Sequence, residues 1–137
     1  MKPGDRLKLQ DFEVEAVPAY NTKPVFLWIK GHPKKAGYLG FIFTINGKRI
    51  YHGGDTSIIP EMEDFPPVDL ALVPAGGDKL TMNIQEAAQM VNSLKPEMAI
   101  PMHYEVGKGY GKEFKELVSN EIKVILFENQ SNKPGNK

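Results

Sequence analysis

Residues 38–52 constrain the fold more than any other stretch of this chain. Residues 38–45 (YLGFIFTI) are rich in aromatic and β-branched side chains, which suit a pleated, half-buried strand. Asn46-Gly47 then supplies the two positive φ angles of a tight type I′ turn, and residues 48–52 return as the partner strand. The pattern predicts an antiparallel hairpin whose open end delivers Gly53-Gly54-Asp55-Thr56.

The elements on either side follow from periodicity. Leu7 and Leu9 alternate with polar residues, as do Phe12, Val14 and Ala16, so two antiparallel strands joined at Gln10-Asp11 are expected. Residues 19–37 show no sustained period; within them, residues 25–29 with Trp28 are expected as a short strand or a pocket wall. Residues 58–62 read as one helical turn, ended by Pro66-Pro67 ahead of a strand at 68–73 that is expected to be covered on both faces. Asn83 with Glu86 three residues on is a capping-box arrangement, and Ile84, Ala87, Met90, Val91 and Leu94 fall on one helical face before Pro96 stops the helix. Residues 98–102 form the next strand. Gly107, Gly109 and Gly111 mark a mobile loop, Phe114, Leu117 and Val118 outline a second amphipathic helix, and residues 122–127 form a last strand. Alternation of strand and helix from residue 68 onward gives an α/β class, with a sheet and helices packed on its outer face.

Two strand ends carry residues able to bind a cation. Tyr51-His52-Gly53-Gly54-Asp55-Thr56 and Ile100-Pro101-Met102-His103-Tyr104 each place one potential ligand directly after a short apolar run. A carboxylate can bridge two divalent ions, and a neutral imidazole suits zinc, iron or manganese. Glycines before Asp55 allow a sharp turn and a close approach. Taken singly, each feature also has a plainer reading: Asp55 bonding its own backbone in a turn, and His103 as a hydrogen-bonded core residue. Gly76-Gly77-Asp78 and Thr81-Met82 read as a turn into the Asn83 cap. Lys34-Lys35 reads as solvated charge.

In order along the chain, Ala16-Val17-Pro18-Ala19-Tyr20-Asn21, Gly37-Tyr38-Leu39-Gly40, Tyr51-His52-Gly53-Gly54-Asp55-Thr56, residues 68–74 (VDLALVP) and Pro101-Met102-His103-Tyr104 resemble metallo-β-lactamase-fold hydrolases. The likeness is to the branch of metal-dependent hydrolases that includes lactonases. It covers residues 1–127 and matches the second half of the family pattern. It implies the second half of an αββα sandwich, a mixed sheet with helices on its outer face. Residues 1–128 would be the C-terminal half of such a domain and residues 129–137 a disordered tail.

The same resemblance implies a function and its residues. A divalent metal, zinc with manganese or iron as alternatives, would be held by Asp55 and His103. Hydroxide generated between two ions about 3.5 to 4 Å apart would attack an ester-like or phosphoester bond of a small-molecule substrate. His32, Asn21 and Tyr104 are expected at the substrate. His32 could equally be an exposed loop histidine, and Tyr104 a packed residue with a satisfied hydroxyl. Asn21 falls where many relatives place a further metal-binding histidine. His52 is expected to pack in the core or to orient a ligand. The family's His-x-His-x-Asp-His loop precedes the matched region, and His32, His52 and His103 cannot compose it. Two side-chain ligands fall short of the three or four in tight zinc sites, so little metal is expected on this chain alone. A noncatalytic remnant or interaction module retaining half the fold is the alternative.

Composition excludes other classes. Seventeen basic and 17 acidic residues leave no net charge, which argues against a nucleic-acid groove or an anionic membrane as partner. Without cysteine, disulfides and thiolate ligands are impossible, and a zinc site must use nitrogen and oxygen. No apolar run approaches the roughly 20 residues of a membrane span, and the first residues lack a signal-peptide core, so a cytoplasmic location is expected. A half-sandwich would expose a sheet face, so the chain is expected to self-associate or to pair with a chain carrying the missing N-terminal half.

Overall fold

The computed structural model describes residues 1–22, 32–76 and 82–127. The expected features at residues 25–29, 77–81 and 129–137 lie outside them. Seven strands form one sheet in chain order: β1 (Arg6–Lys8), β2 (Phe12–Pro18), β3 (Leu39–Ile45), β4 (Lys48–His52), β5 (Leu70–Pro74), β6 (Met98–Met102) and β7 (Lys123–Val124). The first four pair antiparallel, whereas β4 through β7 run parallel. Asn46 at φ 51° and Gly47 at φ 77° make the turn that the sequence prescribes between β3 and β4.

Parallel strands need crossovers, and two are helices: α1 (Ile84–Leu94) between β5 and β6, and α2 (Tyr110–Leu117) between β6 and β7. Asn83 caps α1 by accepting from the Glu86 amide at 2.8 Å, and Lys95 ends it in the left-handed conformation just before Pro96. The third crossover, from β4 to β5, contains a 3-10 turn at Pro60–Asp64.

Register assigns the two faces of the sheet. Ile42, Tyr51, Ala71 and Ala99 are cross-strand partners or follow one another across the sheet, and all are buried in a core shared with Ile84, Ala87, Met90 and Val91 of α1 and Phe114 of α2. Two rows point the other way: Val14, Phe43, Ile50, Leu70 and Met98, then Ala16, Phe41, His52, Leu72 and Ile100. Only Val14 and Ala16 of these are buried; the other eight are half-buried. Both helices therefore lie on one face, and among the described residues no helix covers the opposite, largely apolar face.

Several expected details shift. The helical turn begins at Pro60 rather than residue 58, because proline suits the first helical position while Ile59 stays extended. The strand after Pro66-Pro67 spans Leu70–Pro74, and alternate residues Leu70 and Leu72 are only half-buried, so it is not covered on both faces. Gly111 lies inside α2, where it is buried, while Leu117 is exposed and Val118 is already extended. The last strand keeps only two ladder residues. No helix among the described residues is long and apolar enough to cross a membrane.

Candidate functional site

Strand direction gathers the candidate residues at one edge. β2 runs in the same sense as β4, since two antiparallel steps separate them, and β5 and β6 continue that sense. Chain leaving the C-terminal ends of β2, β4 and β6 carries Asn21, Asp55 and His103 respectively. All three thus lie beyond the carboxyl ends of strands that run in one sense, the edge where open α/β sheets bind ligands.

The two residues singled out at the strand ends are in direct contact. Asp55 Oδ1 lies 2.8 Å from His103 Nδ1, across 48 residues of sequence. An ionised carboxylate only accepts, so in this contact the imidazole donates from Nδ1. Both side chains are substantially exposed, at 38% and 45%. His103 is held at φ 57°, a conformation that costs a non-glycine residue of order 1 kcal/mol and tends to mark functional positions. Tyr104, next in the chain, is half-buried.

A hydrogen-bonded floor supports Asp55. The Gly53 amide donates to Leu72 O at 3.0 Å, and the Gly54 amide donates to His52 Nδ1 at 3.2 Å. Thr56 and Ser57 are buried and knit this segment to residues 20–22: the Tyr20 amide donates to Thr56 Oγ1, the Ser57 amide to Tyr20 O, and the Thr22 amide to Ser57 Oγ.

Asn21 and His32 form a second pair. Asn21 is fully buried; its amide donates to His32 O and its Oδ1 accepts from the His32 amide, both at 2.8 Å. The His32 ring packs against Tyr38 at 4.6 Å between centroids. Its Nδ1 is buried without a hydrogen-bond partner.

Sequence reasoning missed the cluster that braces this region. Tyr20 Oη donates to Glu61 Oε2 at 2.8 Å, Lys34 Nζ donates to Glu61 Oε1 at 2.6 Å, and Lys34 also sits over the Tyr20 ring. The Lys34 hydrogen bond holds the Glu61 carboxyl below the usual range, and burial with the Glu61 bond pushes the Tyr20 phenol up. Residues 20, 34 and 61 share no local pattern, so nothing in the sequence signals their meeting.

The donor chemistry of Asp55 and His103 fits a borderline divalent cation, one oxygen and one nitrogen ligand on a shared rim. Their number does not complete a site: among the described residues no group of three or more His, Asp or Glu could hold a metal. A cavity of about 720 Å³ lies elsewhere, between residues 58–67 and α1, lined by Ile58, Met62, Phe65, Met90 and Leu94 among others. It contains neither Asp55 nor His103, and we place the candidate chemistry at the rim because the ligating atoms are there.

Residues 1–103 match the family model described as the beta-lactamase superfamily domain. A UPF0173 metal-dependent hydrolase of Pyrococcus furiosus is 36% identical over 135 residues, covering 93% of this chain and 55% of the relative. One from Pyrococcus abyssi is 43% identical over 103 residues, covering 70% and 43%. Among solved structures, a protein from Parabacteroides distasonis described as a metal-dependent hydrolase superposes with a TM-score of 0.79 at 34% identity, over 93% of this chain and 56% of that one. Igni18, a metallo hydrolase of Ignicoccus hospitalis, gives 0.70 at 29% identity, over 92% and 55%. The chain spans about half the length of the curated relatives it matches.

Proposed function

The chain belongs to the beta-lactamase superfamily, with the metallo-β-lactamase fold, and from that membership we propose that it contributes Asp55 and His103 to the divalent metal centre of a hydrolase. The observation that carries this reading is the 2.8 Å contact between those two side chains at the carboxyl edge of the parallel strands. When bound, a divalent ion supplies Lewis acidity, polarising a carbonyl or phosphoryl oxygen and acidifying water. Asp55 and His103 would hold that ion, and the Asp55 carboxylate would orient a nucleophilic water by accepting its hydrogen bond. Zinc is the favoured metal, and an ester-like or phosphoester bond the favoured target.

Two donors require others. We assign these to the His-x-His-x-Asp-His half of the fold, whose sheet would cover the open face carrying Phe41, Phe43, Ile50, Leu70, Leu72, Met98 and Ile100. His32, Asn21 and Tyr104 would border the substrate. The shortage of donors equally favours a second reading, in which this half-fold binds its partner and catalyses nothing. Metal content and turnover of chromogenic carboxylic and phosphate esters separate the two. The chain assembled with a His-x-His-x-Asp-His half should hold metal and turn over, and Asp55→Ala should abolish both. Activity unchanged by Asp55→Ala would exclude the proposed role, and assembly without metal would favour the binding module.

A further inference from the structure

His52 ends β4 on the face opposite the helices and is the one polar side chain in the two rows of Val14 to Met98 and Ala16 to Ile100. It is half-buried and lies outside the core cluster on the helix side, so core packing does not account for it. What it does is accept. Its Nδ1 takes the Gly54 N–H at 3.2 Å, which leaves the ring proton on Nε2. The closed ring of atoms spans Gly53 and fixes the direction of the Gly54 amide; Gly54 itself sits at φ 63°, and the next residue is Asp55.

We infer that His52 is the positioning residue of the Asp55–His103 pair: through the Gly54 amide it holds the turn that aims the Asp55 carboxylate at His103. It acts through that amide. A ligand set has to be held within about 0.5 Å of its productive geometry, and a two-glycine turn cannot supply that stiffness alone. The inference rests on Asp55 and His103 being the metal end of the chain, as proposed above. It concerns how they are held, which can be read without metal.

Two isosteres divide the ring's functions. The Asn side-chain oxygen stands as many bonds from the backbone as imidazole Nδ1, whereas the Gln terminal group reaches toward Nε2. His52→Asn should therefore keep the Gly54 bond, and His52→Gln and His52→Phe should lose it. The experiment is nitrogen-resolved NMR of the imidazoles in the full chain at about pH 8, where ordinary histidines are neutral, combined with exchange of the Gly54 amide. The parent should show His103 protonated on Nδ1 and His52 on Nε2. In His52→Gln and His52→Phe, Gly54 exchange should rise about fivefold, the weight of one ordinary hydrogen bond, and His103 should drift to the mixed tautomers of a solvated ring. His52→Asn should restore the parent pattern. A residue that merely stabilised the fold would lower the melting temperature in all three without moving the His103 spectrum. An unchanged His103 signature in both His52→Gln and His52→Phe overturns the inference, as does its complete loss in His52→Asn. Should His52→Phe fail to fold, the Asn and Gln variants carry the comparison. Because no metal is added, failure to bind metal would count against the proposed function and leave this result standing.

Discussion

Gly53 and Gly54 serve the turn before Asp55 for different physical reasons. A Cβ on Gly53 would lie 3.2 Å from both Pro74 Cδ and Tyr51 Oη, and a proline ring cannot retreat; a Cβ on Gly54 would lie 3.3 Å from the Leu39 carbonyl oxygen, and Gly54 sits at φ 63° besides. Gly53→Ala should destabilise by about 1–3 kcal/mol through overpacking, and Gly54→Ala by about 1 kcal/mol through backbone strain. Urea denaturation measures both, and a neutral Gly53→Ala would mean the contact is softer than the geometry states. Tyr51 gives an opposite expectation. It is fully buried with no partner for its hydroxyl, and desolvation pushes its phenol far up, so it stays protonated. Removing an unpartnered buried hydroxyl is neutral or stabilising, so Tyr51→Phe should leave the urea midpoint unchanged or raise it; a clear loss would reveal a partner. At this scale the meeting of Asp55 and His103 was anticipated from their places after two short apolar runs taken with the family resemblance, since singly each had a plainer reading. The Asn21–His32 bond was not, since it links backbone to side chain across residues without a period.

Elements were legible where a local signal sets them. Asn46-Gly47 and Asn83 each dictate a backbone geometry within four residues, and β3, β4 and α1 form where those signals put them. Asn83→Ala should cost about 1 kcal/mol, while Asn83→Asp or Asn83→Ser should cost little, because each still offers an oxygen to the Glu86 amide; thermal melts of the three test it. Where tertiary packing decides, pattern reading slipped: Leu117 carries the helical period yet is exposed, because the chain turns extended at Val118 to bury that residue instead. The 3-10 turn at Pro60–Asp64 also carries a pH signal. The folded carboxyl of Glu61 is lowered chiefly by its Lys34 bond, so its contribution is present above the ordinary carboxylate range and is lost as pH falls through the folded value. Glu61→Gln should therefore flatten part of the stability loss below about pH 5. The effect should be small and weaken with salt, since the pair is partly solvated. Parallel acid titrations of parent and variant that stay superimposable would rule it out.

For the whole molecule, the ordering of strands matters more than any one of them. Sequential strands with both described helices on one side make a two-layer arrangement, and the sheet face opposite those helices presents Phe41, Phe43, Ile50, Leu70, Leu72, Met98 and Ile100 in adjacent rows. Alternation along each strand made the inward row legible. That the other row would need a cover was implied only by the resemblance, because a strand's sequence shows that both its faces are apolar, not what lies against them. Zero net charge removes the long-range repulsion that would keep two such faces apart. Adjacent rows of large, half-buried apolar side chains are the kind of surface that marks an interaction site, so the isolated chain should associate with itself or bind an apolar dye. Phe43→Glu and Leu72→Glu, placed mid-face where neither side chain enters the helix-side core, should suppress both behaviours while circular dichroism stays native. Sedimentation of the parent as a strict monomer at every concentration, without dye binding, would mean that the face is covered within the chain itself and that no second layer is needed.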